Sequence, residues 1–266
     1  MVEGSGHDTS HWDAKLPRDK LLGMTTIRQS DIPALTAAEM AAVDRAMFDV
    51  CRLDVLQVME VAGRSIARWV RSEIFGGFCT GRRVLVLCGP GGNGGDGLVA
   101  ARYLFGWAAE VTVVLSKRPA EGTVTAHQLR IAETLGVPVV DSAMNLTLTD
   151  TDLIVDGVLG FSSRGAPRGV SAMLIEQANA QTAQVISIDL PSGLDATTGA
   201  VHAPCVRASA TITLGLPKTG LLVHTARDVV GRIVVADIGI PTLAFRAAGI
   251  APPQVSWNSD WLQLAE

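Results

Sequence analysis

The sequence predicts an α/β fold, a three-layer α/β/α sandwich with a mostly parallel sheet and an N-terminal helical segment. Three observations predict it. Short apolar runs rich in β-branched residues alternate with amphipathic stretches from Val84 onward. The runs are apolar throughout, as strands covered on both faces are. A glycine-rich turn, GPGGNGGDG, follows the first run at once. Between a strand and a helix such a turn makes an anion-binding corner, because unpaired backbone N–H groups and the helix dipole point at one spot.

The chain of 266 residues is long enough for one large α/β domain or two small ones. Its 22 basic and 26 acidic residues give a net charge of −4, and no basic run interleaves with aromatics. Nucleic acid is therefore not an expected partner. No uninterrupted apolar segment reaches membrane-spanning length, and the N-terminus lacks the apolar core of a signal peptide. A cytoplasmic protein without a membrane partner is expected. Cys51, Cys79, Cys88 and Cys205 are scattered without metal-ligand spacing and are expected as reduced thiols, Cys88 as core filler.

Taken in order, residues 1–33 are polar with little periodicity and read as a disordered leader, with His7 and His11 as solvated tail histidines. Residues 34–266 read as one domain. Order is expected from Thr36, which with Glu39 fits a capping box ahead of the stripe Met40, Val43, Met47 and Val50. A second helix is predicted from Val55 to about Ile74, with Leu56, Met59, Ala62 and Ile66 on one face; the methionine-rich stripe of the two helices suits a core or a subunit contact. Strands are predicted at Val84–Cys88, Val111–Leu115, Val137–Val140, Leu153–Asp156, Val185–Asp189, Ala210–Leu214 and Ile233–Ala236. Helices are predicted at Leu98–Leu104, Thr123–Leu135 and Val170–Ala180. Trp257 and Trp261 suit either a core cap or a subunit contact.

Parallel sheets bind ligands at the carboxyl ends of their strands, and three such ends carry polar groups beside flexible residues. The first is Gly89 to Gly97, where Gly89, Gly91 and Gly94 spell the G-x-G-x-x-G of a Rossmann-like dinucleotide fold. Asp96, expected in the first helical turn, would repel a pyrophosphate docked in the usual way and suits ligand hydroxyls or a cation instead. The second end delivers Asp156, followed by Gly157, Gly160 and Gly165. The third delivers Asp189, followed by Pro191, Ser192 and Gly193. Asn93, Asp96, Asp156, Asp189 and Ser192 are oxygen donors, which suit an alkali or alkaline-earth cation and not zinc. Lys218, the one basic residue in TLGLPKTGLL, suits a substrate phosphate or the tuning of an acid.

From about Leu35 to Pro241 the chain resembles the NAD(P)H-hydrate epimerases. The resemblance rests on LTAAEMAAVDRA, VMEVAGR, CGPGGNGGDGLVAARYL, VDGVLGFSSRG, SIDLPSGLDATTG, TLGLPKTGLL and VADIGIP in family order. It implies an isomerase that interconverts the R and S forms of NADHX and NADPHX in nicotinamide-nucleotide repair. The family's first cofactor loop falls on Gly92, Asn93, Gly94, Gly95 and Asp96, and its second on Gly160, Phe161, Ser162, Ser163, Arg164, Gly165 and Ala166. Its potassium ligands match Asn93, Asp156 and Ser192, and its substrate-binding Asp, a proton-transfer group, matches Asp189, with Lys218 assisting by charge. A homodimer and a separate NAD(P)H-hydrate dehydratase in the pathway are further implications. Two positions depart from the family pattern. Gly92 replaces the first Asn of NNxGD, and Val61 replaces a polar residue of MENAG.

Two rivals are distinguishable. An NADP-dependent oxidoreductase would use the same glycine corner, with Ser116, Lys117 and Arg118 placed to meet a 2′-phosphate. A catalytically inactive nucleotide- or protein-binding module of this fold, like the apolipoprotein A-I-binding relatives, would not need the carboxylates at its loops.

Overall fold

The computed structural model describes residues 25–141, 151–257 and 259–265. It begins with a short strand, β1 (Thr26–Arg28), and two helices, α1 (Ala37–Asp49) and α2 (Val55–Trp69). Both helices start at capping boxes. The Thr36 hydroxyl accepts the Glu39 N–H while Glu39 accepts the Thr36 N–H at 2.8 Å. Asp54 and Gln57 repeat the exchange. Such caps satisfy first-turn donors that would otherwise lack partners, contributing about 1 kcal/mol each. Past Trp69 the rod continues as a π turn over Val70–Ile74, so the predicted second helix is present with a widened last turn.

Strands and helices then alternate: β2 (Arg83–Cys88), α3 (Gly92–Gly106), β3 (Glu110–Leu115), α4 (Val124–Thr134), β4 (Val139–Val140), β5 (Leu153–Gly157), α5 (Gly169–Asn179) and β6 (Gln184–Ile188). The last elements are β7 (Ala210–Leu214), α6 (Arg227–Val230), β8 (Arg232–Ala236), α7 (Thr242–Ala247) and β9 (Trp261–Ala265). Among the described residues one sheet runs in the order β1-β9-β8-β7-β6-β5-β2-β3-β4. Every pair is parallel except β8 with β9.

Both faces of the sheet are covered. Val84, Val86 and Cys88 of β2 pack with α2, α3 and α4, while Leu85 and Leu87 pack with α5. Successive side chains of a strand alternate between faces, which is why a continuous apolar run is required here. Each buried Val, Leu or Ile contributes about 1.5–3 kcal/mol. All seven predicted strands are present within two residues of their expected starts, and the three-layer Rossmann-like fold is the one expected.

Four details differ. Order does not wait for Thr36: β1 pairs with β9, and Ile32 is buried, so the leader reading fails for residues 25–33. Residues 1–24, with His7 and His11, lie outside the described residues. β9 and α7 were not foreseen. Helix α3 starts at Gly92, not at Leu98, so the glycines belong to the helix itself. Val50 is the exposed C-cap of α1 and not part of its buried stripe. Trp261 packs against the sheet core and Trp257 against the cluster around α1 and α7, so both serve this chain's own packing. The four cysteines are unpaired, and burial pushes the Cys88 thiol well above the ordinary thiol range.

Candidate active site

The chain runs from β2 outward to β3 and β4 on one side, and from β5 to β8 on the other. The direction changes between β2 and β5, so a crevice opens at the carboxyl ends of these two strands. Two of the three sequence-predicted strand ends, the glycine corner and Asp156, meet there.

The corner is built by close backbone approach. A Cβ on Gly94 would lie 1.9 Å from the Gly89 carbonyl oxygen, and a Cβ on Gly89 would lie 1.9 Å from that of Val158. Only glycine permits this stacking of β2, α3 and the segment after β5. It also lets α3 start immediately after the turn, which moves Asp96 from the expected first turn into the second. Asp96 is buried, and burial foremost, aided by the charges of Asp189 and Asp44, raises its carboxyl well above the usual range against the opposing pull of Lys218.

Asp156 closes β5 with no exposure to solvent. It accepts from the Ser187 hydroxyl at 2.8 Å, the Ser192 N–H at 2.9 Å, the Ser192 hydroxyl at 2.6 Å and the Val158 N–H at 3.2 Å. Burial raises its pKa and these four donors pull it back. No basic side chain among the described residues pairs with it. Asn93 donates to the Leu159 carbonyl at 3.0 Å, and the Leu159 N–H donates to Ser192 Oγ at 2.9 Å. The three residues are thus tied together through Leu159. An oxygen donor set around a buried carboxylate without a basic partner fits a hard cation.

Asp189 follows β6 at φ +65°, a left-handed conformation that is uncommon for a side-chain-bearing residue and concentrates at functional sites. Its Oδ1 accepts from Lys218 Nζ, from the Leu214 N–H at 3.3 Å and from the Thr213 hydroxyl at 3.4 Å. All three contacts fall on one oxygen, which leaves Oδ2 for a ligand. Lys218 is 1% exposed, donates also to the Leu214 carbonyl at 2.9 Å, and lies 5.9 Å from the Phe161 ring centroid. Of the two readings of this lysine, the geometry matches the partner of an acid.

A cavity of about 420 Å³ opens above these groups. Its lining includes Gly92, Asn93, Asp96, Gly160, Phe161, Ser162, Ser163, Asp189 and Lys218. Asp156 and Ser192 lie buried behind it. Gly94 and Gly95 do not line it; they give room to Gly89 and Met59. Arg164, Gly165 and Ala166 are exposed and stand outside it. Val61 is also outside, 45% exposed on the far face of α2. Arg118 is tied to Glu133 and Asp141, so it is not free for the 2′-phosphate that the oxidoreductase reading needs.

Sequence reasoning missed the opposite wall. Met40, Met47, Phe48, Val58 and Met59 from α1 and α2 line the cavity, together with Asp44. The methionine stripe, read as core or a subunit contact, is the apolar side of the site. The spacing of Asp44 from Met40 and Met47 on one helical face carried the signal.

A Rossmann-like fold with a carboxylate-lined cavity at its switch point describes a class of ligand-binding domains. The chain belongs to one family within it, the YjeF-related protein N-terminus, whose model matches residues 55–220. It is 38% identical over 229 residues to the NAD(P)H-hydrate epimerase of Dehalogenimonas lykanthroporepellens, covering 86% of this chain and 91% of that protein. It is also 38% identical over 215 residues to the Bifunctional NAD(P)H-hydrate repair enzyme Nnr of Moorella thermoacetica, of which it spans 40%. The crystal structure of yeast ynu0, YNL200c, matches with a TM-score of 0.75 at 25% identity, over 88% of this chain and all of that one.

Proposed function

We propose that the protein is an NAD(P)H-hydrate epimerase, an isomerase that interconverts the R and S forms of NADHX and NADPHX. One observation carries the reading most strongly. Asn93, Asp96, Asp189 and Lys218, delivered by three separate strand ends, converge on one cavity. Relatives named for this activity are similar over most of this chain.

Inversion at the hydrated ring carbon requires a proton to be given and taken near its hydroxyl oxygen. Asp189, with Oδ1 held by Lys218 and Oδ2 left over, is suited to accept it. Asp96, whose carboxyl group makes no hydrogen bond to a described residue, is suited to bind ligand hydroxyls. The methionine and Phe48 wall excludes water from the ring. Asn93, Asp156 and Ser192 would hold a potassium ion, which would supply positive charge beside Asp156 and the dinucleotide's anionic groups. A cytoplasmic homodimer, working beside a separate dehydratase, completes the reading.

The test is conversion of R-NADPHX to the S form in potassium buffer, followed by chromatography against a no-enzyme control. Acceleration by the wild type, lost in Asp189→Asn, is the expected result. Nucleotide binding without acceleration would overturn the epimerase reading in favour of a binding module.

A further inference from the structure

Asp44 lines the cavity from α1, yet neither the glycine loop nor the strand ends account for it. Its place is fixed from the start of the helix. The Leu35 N–H donates to the Pro217 carbonyl at 2.9 Å, and the Leu35 carbonyl accepts the Thr219 N–H at 2.9 Å. These two bonds bracket Lys218 and register α1 against the segment that carries it. Asp44 is half-buried, and its side chain makes no hydrogen bond or close ion pair with a described residue.

Its electrical setting is specific. Lys218 and Asp189 face it from the strand-end loops, Asp96 from α3, and Arg45 adjoins it on α1. α2 contributes only apolar groups, Val55, Val58, Met59 and Ala62. α7 packs on α1, and its one charged residue, Arg246, is exposed. Three carboxyls thus share one buried ammonium, and a proton on one of them relieves the excess charge. Burial foremost, with the Asp189 charge adding, pushes Asp44 up to about 6, against Lys218 and Arg45.

We propose that Asp44 is the proton donor of this site and Asp189 the proton acceptor, an inference that rests on the epimerase reading. The bond from the ring carbon to its hydroxyl oxygen breaks, and its electron pair leaves with oxygen. That oxygen takes the Asp44 proton and departs as water. The ring nitrogen lone pair forms a carbon–nitrogen double bond, leaving an iminium. Water adds to the opposite face, the double-bond pair returns to nitrogen, and the added water gives a proton to Asp189. Passing that proton back to Asp44 through solvent closes the cycle, with no oxidant or reductant.

The experiment measures kcat, KM and pH profile on R-NADPHX for the wild type, Asp44→Asn and Asp44→Glu, with the uncatalysed rate subtracted at each pH. Asp44→Asn is expected to lose kcat by about 10²- to 10⁴-fold with KM near wild type, and Asp44→Glu to restore part of it. Wild-type kcat/KM is expected to fall about tenfold per pH unit above the Asp44 pKa, a limb absent from Asp44→Asn and shifted in Asp44→Glu. Should the Asn variant not fold, the Glu variant decides, since an unshifted limb overturns the assignment. An Asp44→Asn enzyme that keeps kcat and the limb, or changes only KM, overturns it alone. A wild type that does not epimerise overturns the epimerase reading as well.

Discussion

Lys218 and Asp189 form an ion pair with side chains only 1% and 5% exposed. Breaking such a pair from one side leaves an uncompensated buried charge, whereas removing both charges does not. Lys218→Met is therefore expected to lower unfolding stability by about 3–5 kcal/mol, measured by urea denaturation. The Lys218→Met, Asp189→Asn double variant should recover much of that loss. Asn suits position 189 because it tolerates the left-handed backbone there.

Ser192 meets Asp156 through both its hydroxyl and its N–H. Ser192→Ala removes the shorter contact and leaves Asp156 Oδ1 with the Val158 N–H alone, at an expected cost of about 1–3 kcal/mol. A bound potassium ion would stabilise the folded state by mass action. Replacing sodium by potassium at constant ionic strength should raise the wild-type melting temperature and leave that of Ser192→Ala nearly unmoved.

The two departures from the family pattern separate in space. A Cβ on Gly92 meets nothing within 4 Å, and Gly92 lines the cavity, so Gly92→Asn should fold normally and tighten nucleotide binding in calorimetry. Val61→Asn, outside the cavity, should leave kcat and KM unchanged. Gly94→Ala should fail to fold or lose binding, because its methyl would collide with the Gly89 carbonyl.

Burial foremost pushes the Asp44 carboxyl up to about 6 from an ordinary value of 3.8. A carboxyl whose pKa is raised by folding favours the folded state while protonated, and that advantage disappears as pH rises from about 4 through 6. Asp44→Asn is thus expected to melt above the wild type at pH 7.5, with the gap closing toward pH 4. Thermal melts across that range check it, and a constant gap would contradict the burial argument.

The central strands were legible because strands buried on both faces have no polar positions, as Val84–Cys88 and Leu153–Val155 show. The start of α3 was not legible. Glycine lowers helix propensity, so Gly92 to Gly97 reads as loop, and only the contacts of Gly94 and Gly97 with neighbouring segments reveal why a helix of glycines is tolerated. β1 and β9 were missed because a three-residue strand carries no periodicity and WLQLA follows a proline-containing stretch. At the site, the acids that close strands stood out, while Asp44 was hidden inside a helix whose apolar stripe looked like ordinary core.

The parallel pairing of β1 with β9 joins opposite ends of the described chain. During translation, Thr26–Arg28 emerge long before β9, their neighbour in the described sheet, which also pairs antiparallel with β8. Every residue that lines the switch-point cavity is synthesised before that edge strand. A nascent chain arrested after α7 would therefore carry a formed ligand site and an unzipped margin.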